Sequence, residues 1–208
     1  MLDKYAVPIF KPSLRKVAKL LQRAGITADQ VSVAGFATGM FAAIMVAGGF
    51  YLTALLLLLL NRIADGIDGE LARLTQSTDA GGFLDITLDF IFYAAFPLGF
   101  AFASVETNAL PAAVLIANFI GTGASFLAFS SLADKHAIEH PDFSYKGFYY
   151  INGLAEGTET VIFFVLMCLL PDYFPVIAYL FAFICVITAA NRVVFGYRTL
   201  KALADRSG

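Results

Sequence analysis

Charge is scarce in this sequence: Asp, Glu, Lys and Arg make up 14% of its 208 residues, against about 25% in soluble domains. Hydrophobic residues reach 59%, and the mean hydropathy of +0.77 is sustained along the whole length. That excludes a soluble protein, and it excludes a soluble domain carried on one anchor. Cysteine is limited to Cys168 and Cys185, both inside apolar runs, where free thiols pack as small hydrophobes; a disulfide framework is excluded. The first thirty residues lack an apolar core long enough for a signal peptide, so the N-terminus is expected to be retained. Internal repeats and low-complexity linkers are missing too, which leaves one membrane domain over 1–208. The only histidines, His136 and His140, fall in an expected loop and read as solvated residues rather than catalysts.

What is present is a series of apolar stretches. A spanning helix needs about 20 mostly apolar residues, and six stretches qualify, at roughly 31–50, 51–73, 82–103, 110–133, 149–170 and 174–197. The expected fold is all-α: a polytopic bundle of six transmembrane helices over 31–197. Gly48 and Gly49, the segment Glu106 to Asn108, and the segment Pro171 to Pro175 mark tight turns between consecutive spans. All fourteen Lys and Arg fall before the first span, towards the end of the second, between the fourth and fifth, or from the end of the sixth onward. The opposite side's three connections hold none, so the positive-inside rule places both termini and the 134–148 connection in the cytoplasm. Residues 9–24 space Leu14, Val17, Ala18 and Leu21 helically, with Arg15, Lys16, Lys19 and Arg23 around the remaining surface. Segment 1–30 is therefore expected to be a cytoplasmic interfacial segment whose amphipathic helix lies on anionic headgroups, and 198–208 a cytoplasmic tail.

Burying a charge in a bilayer costs on the order of 2.5 to 3.5 kcal/mol even on lenient scales, so carboxylates within spans mark function. Asp65 and Asp68 are three residues apart on the second expected span, and Asp85 and Asp89 four apart on the third; each pair shares a helix face. Counted from Tyr51 at 1.5 Å per residue, the first pair lies roughly 21 to 26 Å along its helix. The second pair, just inside the next span, sits at a comparable depth. Four carboxylates at one level repel unless protonated or neutralised by a cation, and oxygen-only ligands on a rigid helix pair suit Mg²⁺ or Mn²⁺. Asn61, Arg62, Asp65, Asp68, Gly69 and Ala72 share one arc, with small residues that admit a close ligand. Arg62 and Arg73 are within reach of phosphate oxygens there.

The run Asp65-Gly-Ile-Asp68-Gly69-Glu-Leu-Ala72-Arg73, then Gly81-Gly-Phe-Leu-Asp85-Ile-Thr-Leu-Asp89, resembles the signature of the CDP-alcohol phosphotransferases. That signature reads D, two residues, DG, two residues, AR, about eight residues, G, three residues, D, three residues, D. The linker from Arg73 to Gly81 is one residue short, a deletion that a turn absorbs. Asp29 and Ser32, ahead of the first span, stand where the family often has Asn and Thr. The resemblance implies an integral-membrane enzyme of phospholipid biosynthesis that moves a phosphoalcohol group from a CDP-alcohol to a hydroxyl acceptor, with CMP leaving. The donor it implies is CDP-diacylglycerol. By the same resemblance Asp65, Asp68, Asp85 and Asp89 are the ligands of one or two divalent cations, and Asp89 is also the catalytic base. The cytidine diphosphate would lie near Asp65, Gly69, Ala72, Arg73, Gly81, Asp29 and Ser32. A homodimer is also implied, in a bacterial inner membrane or its equivalent, with the site opening to the cytoplasm and no nucleic-acid partner.

Two other acids fall in the fifth expected span, Glu156 and Glu159, three apart and sharing an arc with Tyr149, Asn152, Thr160 and Phe163. One reading pairs them with Arg192 or Arg62 to knit helices together. The other makes them the acceptor half of the site, where acids would repel a phosphorylated acceptor and suit a neutral polyol or an amine-bearing alcohol. Two other classes also place acids in membranes. An ion-coupled transporter would show inverted repeats, and a prenyl-diphosphate transferase would lack the DG, AR and final Asp-x-x-x-Asp pattern.

Overall fold

The structure, a computed structural model, describes residues 3–135 and 153–207, and these residues form seven α-helices and one short 3₁₀ turn. Helix α1 spans Asp3–Arg23, α2 Ala28–Ala47, α3 Tyr51–Leu74, α4 Asp79–Ala103, α5 Val105–Lys135, α6 Gly157–Leu169 and α7 Phe174–Ser207, with the 3₁₀ turn at Pro171–Tyr173. The chain is all-helical among the described residues. Four helices are long and apolar enough to cross a membrane: α2, α4, α5 over Val105–Ala133, and the stretch Pro171–Leu203. α3 has the length, but Arg62, Asp65, Asp68, Glu70 and Arg73 interrupt its apolar character. The outward surface is apolar, with Leu52, Leu56 and Leu60 on α3, Phe102 on α4, Ile120 on α5 and Phe183 on α7 all exposed. Such a surface belongs in lipid and marks an integral membrane protein.

Local chemistry sets the helix ends. Thr27 caps α2 through a reciprocal box: its Oγ1 accepts from the Gln30 amide at 3.3 Å, and Gln30 Oε1 accepts from the Thr27 amide at 3.1 Å. This satisfies donors that a helix start otherwise leaves open. The α2–α3 turn falls at Gly48 and Gly49 as expected, and Gly49 has φ +78°, a conformation costly for any residue with a Cβ. The break between α4 and α5 lies elsewhere than expected. It falls at Ser104, while Glu106 to Asn108 already belong to the first turn of α5. The buried Asn108 amide donates to Phe100 O at 3.0 Å and fastens that hairpin.

The core is aromatic. Phe92, Phe96 and Phe100, one turn apart on α4, are fully buried. Phe96 stacks on Phe164 of α6 at 4.5 Å, and Phe100 on Phe174 at 4.4 Å, where α7 begins. The C-terminal end of α4 therefore meets the C-terminal end of α6, and the two helices run parallel. α2 packs on both α3 and α4, while α5 packs on α4 and α7.

α1 lies against α3. Leu14, Ala18 and Leu21 pack on Ile67, Leu71 and Leu74, with Ala28 and Val31 of α2 closing the cluster. Val17, expected on the same face, is instead 40% exposed. It joins Ile9, Phe10 and Leu20 in an uncovered apolar stripe beside the packed one, and the basic residues fill the rest of the circumference. The helix thus presents one apolar edge to the bundle and leaves a second uncovered.

Candidate active site

Ser32 on α2, Asp65 and Asp68 on α3, and Asp85 and Asp89 on α4 line one cavity, together with Gly35, Asn61 and Arg62. The expected register holds, because consecutive helices bring both acidic pairs to one level and turn them toward each other. One carboxylate oxygen from each of Asp65, Asp68 and Asp85 lies within 4.8 Å of the other two. Asp68 is buried at 5% exposure, and its Oδ2 accepts a 2.6 Å hydrogen bond from Ser32 Oγ. That bond ties the start of α2 to the acid cluster. Asp89 lines the same cavity but is not one of the three converging acids.

Arg62 holds Asp89. Its Nη2 donates to Asp89 Oδ1 at 2.8 Å, its Nη1 to Tyr93 Oη at 3.1 Å, and its Nε to Asn61 Oδ1 at 2.7 Å. Nη1 also stands 3.8 Å from Asp65 Oδ2. The guanidinium lies over the Phe92 and Tyr93 rings, 5.1 and 5.5 Å from their centroids. Asn61 is fixed in turn, since its Nδ2 donates to Gly35 O at 2.8 Å. The donors of Arg62, which the sequence puts within reach of phosphate oxygens, are here directed at α4 and its own helix. Tyr93 was missed by sequence reasoning, although its position four residues after Asp89 puts it on the same helix face.

At the nucleotide-side positions, Gly81 sits in the first turn of α4, where its amide donates to the Thr78 cap at 3.0 Å. A Cβ on Gly81 would stand 3.0 Å from Asp29 Oδ1, so Asp29 and Gly81 are brought together from α2 and α4. Arg73 turns to Glu70 of its own helix, Nη2 to Oε1 at 2.8 Å, with its side chain 42% exposed. Gly69 lies beneath that guanidinium, 3.4 Å from a would-be Cβ to Arg73 Nη2. Ala72 is half-buried one residue before it.

The second acidic pair departs from expectation. Residues 153–156 are not helical, and Glu156 is the extended residue before α6, with φ −124° and ψ −172°. Glu156 and Glu159 therefore do not share a helical stripe. Glu156 is buried, and its Oε1 accepts from the Gly153 amide at 2.9 Å. The Gly153 to Glu156 segment is further held by Thr188 Oγ1, which accepts from the Leu154 and Ala155 amides at 3.1 and 2.9 Å. Buried Arg192 donates to Thr122 O at 3.1 Å and lies over Phe126. Neither glutamate lines the aspartate cavity. Tyr149 and Asn152, expected on the same arc, lie outside the described residues.

A family model for the CDP-alcohol phosphatidyltransferases matches residues 26–194. Inner membrane protein YnjF of Escherichia coli is 51% identical over 203 residues, covering 98% of each chain. An archaetidylinositol phosphate synthase of Pyrococcus horikoshii is 34% identical over 99 residues, 45% of this chain and 50% of that protein. The phosphatidylinositol phosphate synthase PgsA1 of Mycobacterium tuberculosis, solved with manganese and citrate, superposes with a TM-score of 0.71 at 18% identity, covering 88% of each chain. The same synthase with CDP-DAG bound gives 0.67 at 20% identity, over 88% of this chain and 93% of that one. At those identities the superpositions show a shared fold. The matched span contains all four aspartates, and the chain belongs to the CDP-alcohol phosphatidyltransferase family.

Proposed function

We propose that the aspartate cavity is where this membrane transferase joins its two substrates, with a divalent cation held by Asp65, Asp68 and Asp85 and with Asp89 as the base. The carrying observation is the convergence of three carboxylate oxygens within 4.8 Å. Ligand oxygens of one octahedral Mg²⁺ stand at about 2.1 Å from the ion and so about 3 to 4 Å from one another, a spacing that this donor set fits. Bound there, Mg²⁺ or Mn²⁺ supplies charge neutralisation at the diphosphate and eases departure of CMP. Asp89 takes the proton of the acceptor hydroxyl as its oxygen forms a bond to the β-phosphorus, while the bond from that phosphorus to the CMP oxygen breaks. Ser32 holds Asp68 in place, and Asp29, Gly69, Ala72, Arg73 and Gly81 bound the nucleotide side. The proposed donor is CDP-diacylglycerol; a protein of like fold is known with CDP-DAG bound, and another form of it with manganese.

The remaining architecture in this reading is one domain over 1–208, with six spans, α3 and a longer α6 joining the four apolar helices. Both termini and the site face the cytoplasm, and two chains associate as a homodimer. Positive charge gathered at one end of the bundle supports that orientation.

On the acceptor side we place Glu156 and Glu159. α4 and α6 run parallel, Phe92 and Phe164 meet at 6.1 Å, and Glu159 stands five residues before Phe164 as Asp89 stands three before Phe92. The two acids thus lie at nearly one depth on neighbouring helices, which supports a neutral or amine-bearing acceptor over a phosphorylated one. The test is release of labelled CMP from CDP-diacylglycerol with glycerol phosphate, inositol phosphate, serine, inositol and choline at equal concentration. A non-phosphorylated acceptor is expected to lead by tenfold or more. A tenfold lead for either phosphorylated acceptor, with Glu156→Gln and Glu159→Gln still active, returns both glutamates to the structural role.

A further inference from the structure

We infer that α1 couples the anionic lipid of the membrane surface to the order of the α3 segment carrying Asp65 and Asp68, so that turnover rises with the anionic content of the bilayer. The link to turnover rests on the reading that the cavity lined by these aspartates performs the transfer. At about 100° per residue, Ile9, Phe10, Val17 and Leu20 share one arc of α1, and all four are exposed. Leu14, Ala18 and Leu21, which pack on α3, border that arc on one side. Lys16, Lys19 and Arg23 border it on the other, and they are exposed as well. No acidic residue occurs between Lys4 and Ala28. An apolar arc edged by positive charge fits the boundary between acyl chains and anionic headgroups.

The helix is seated on the back of the acid-bearing segment. Gly66 lies between Asp65 and Asp68, and Leu14 occupies the space that a side chain there would take, its Cδ1 2.7 Å from where a Gly66 Cβ would stand. Ile67, Leu71 and Leu74 carry the contact along α3. At its end, Gln22 Nε2 donates to Leu74 O at 3.2 Å, closing one of the last carbonyls that a helix leaves open. α1 thus grips α3 from the acid cluster to its C-terminus. The grip is small: its buried members are Ala18, Ile67 and Leu71, with the rest half-covered. Such a contact belongs to the low-stability end of a molecule, so whatever covers the other face of α1 shifts how often the helix is docked. Lipid that favours the docked helix favours the ordered α3 segment through the same coupling. Salt weakens the attraction, because screening acts on charges at an exposed surface.

The experiment compares the full-length chain in nanodiscs of phosphatidylcholine alone and of phosphatidylcholine with about 30% phosphatidylglycerol. The chain has no tryptophan, so Leu20→Trp places a single reporter on the exposed arc. Its emission should shift to the blue in the anionic membrane and return at about 0.5 M salt. Hydrogen exchange in α1 of the parent should slow by about tenfold or more with anionic lipid, and at 70–75 of α3 by about threefold or more. With the acceptor that leads the CMP-release panel, kcat should rise by about threefold. Leu14→Ala should keep the response of α1 and lose that of α3. Equal emission in both membranes, or a blue shift that appears only with two chains per disc, puts the arc against neutral lipid or a second chain and overturns the inference. Exchange at 70–75 that ignores lipid while α1 responds, an unchanged kcat, or a folded Leu14→Ala chain whose α3 still responds overturns the coupling. If Leu14→Ala does not fold, the parent comparison still decides. If no acceptor releases CMP, the proposed transfer fails instead, and the exchange result alone decides the coupling.

Discussion

The two ends of the α3–α4 pair are built on opposite principles. At one end, Arg62 of α3 reaches Asp89 and Tyr93 of α4 at 2.8 and 3.1 Å, and Asp65 and Asp68 converge with Asp85 to within 4.8 Å. At the other, Leu58, Phe96 and Phe100 are fully buried among rings of α6 and α7. Phe92 is the seam, packed on Phe164 on one side and under the Arg62 guanidinium on the other. The aromatic end gains its order chiefly from shape and dispersion, with one buried hydrogen bond from Asn108 to Phe100 O, and tolerates no charge. The polar end assembles four carboxylates, an arrangement that protonation or a cation must relieve. Stability should therefore reside at one end and chemistry at the other.

The largest effect that would test this division is at the polar end. Asp68→Asn removes one of three converging carboxylates, and turnover should fall about a thousandfold or more, in line with several kcal/mol of lost transition-state stabilisation. Its Mn²⁺ binding should weaken alongside. Asp89→Asn should lose turnover by about 10² to 10⁴, the usual contribution of a general base, while CMP still binds. Without metal, Asp68→Asn should match or exceed the parent in thermal stability, because it removes a repelling charge, whereas Asp89→Asn should fall below it, because it breaks the ion pair with Arg62; measured melting in detergent checks both. A parent-like rate for either variant would dissolve the contrast.

Next in size is the aromatic end. Phe174 is fully buried and stacks on Phe100 at 4.4 Å, so Phe174→Ala should cost about 3 to 5 kcal/mol of stability. Turnover per folded molecule should stay within about twofold, since the site lies at the other end of α4. Reversible denaturation and an assay on the folded fraction separate the two readouts. A large loss of turnover in folded protein would mean that the rings set the geometry of the acids, and that the ends are one unit.

This division explains what the sequence allowed to be read. Asp65, Asp68, Asp85 and Asp89 were legible because helical spacing alone fixes which side chains share a face, and two consecutive helices must turn those faces together. The destination of Arg62 was not legible. A side chain with four rotatable bonds reaches phosphate or carboxylate equally well from the same Cα, and only the placement of Asn61 and Tyr93 decides. The non-helical segment before α6 was hidden for a related reason: Gly153 to Glu156 continues an apolar pattern, while the backbone donors of that segment are satisfied by Thr188 and Glu156, from α7 and from within the segment. Val17 lost its expected place because α1 docks on α3 along Leu14, Ala18 and Leu21, a narrower stripe than its periodicity offers. Membership of the family also removes the transporter and the prenyl-diphosphate transferase as readings.

The smallest expected effect sharpens the contrast where the polar end meets the first turn of α2. Ser32 and Asp29 reach Asp68 and Gly81 from this turn, and the turn itself is held by the Thr27–Gln30 box. Its residues are partly or fully exposed, so packing contributes little there and the cap carries the local order. Thr27→Ala should cost about 1 kcal/mol, which at about 1.4 kcal/mol per tenfold corresponds to roughly fivefold more frequent opening of the turn. Hydrogen exchange at 28–32 should quicken by that factor, and KM for the CDP-alcohol should rise a few fold as Asp29 and Ser32 lose their fixed direction. The value of kcat should hold within about twofold, because Asp65, Asp85 and Asp89 sit on α3 and α4, which the cap does not touch. Faster exchange with an unchanged KM would show that the Ser32–Asp68 bond alone positions α2, and a fall in kcat would place the cap in the chemistry rather than in binding.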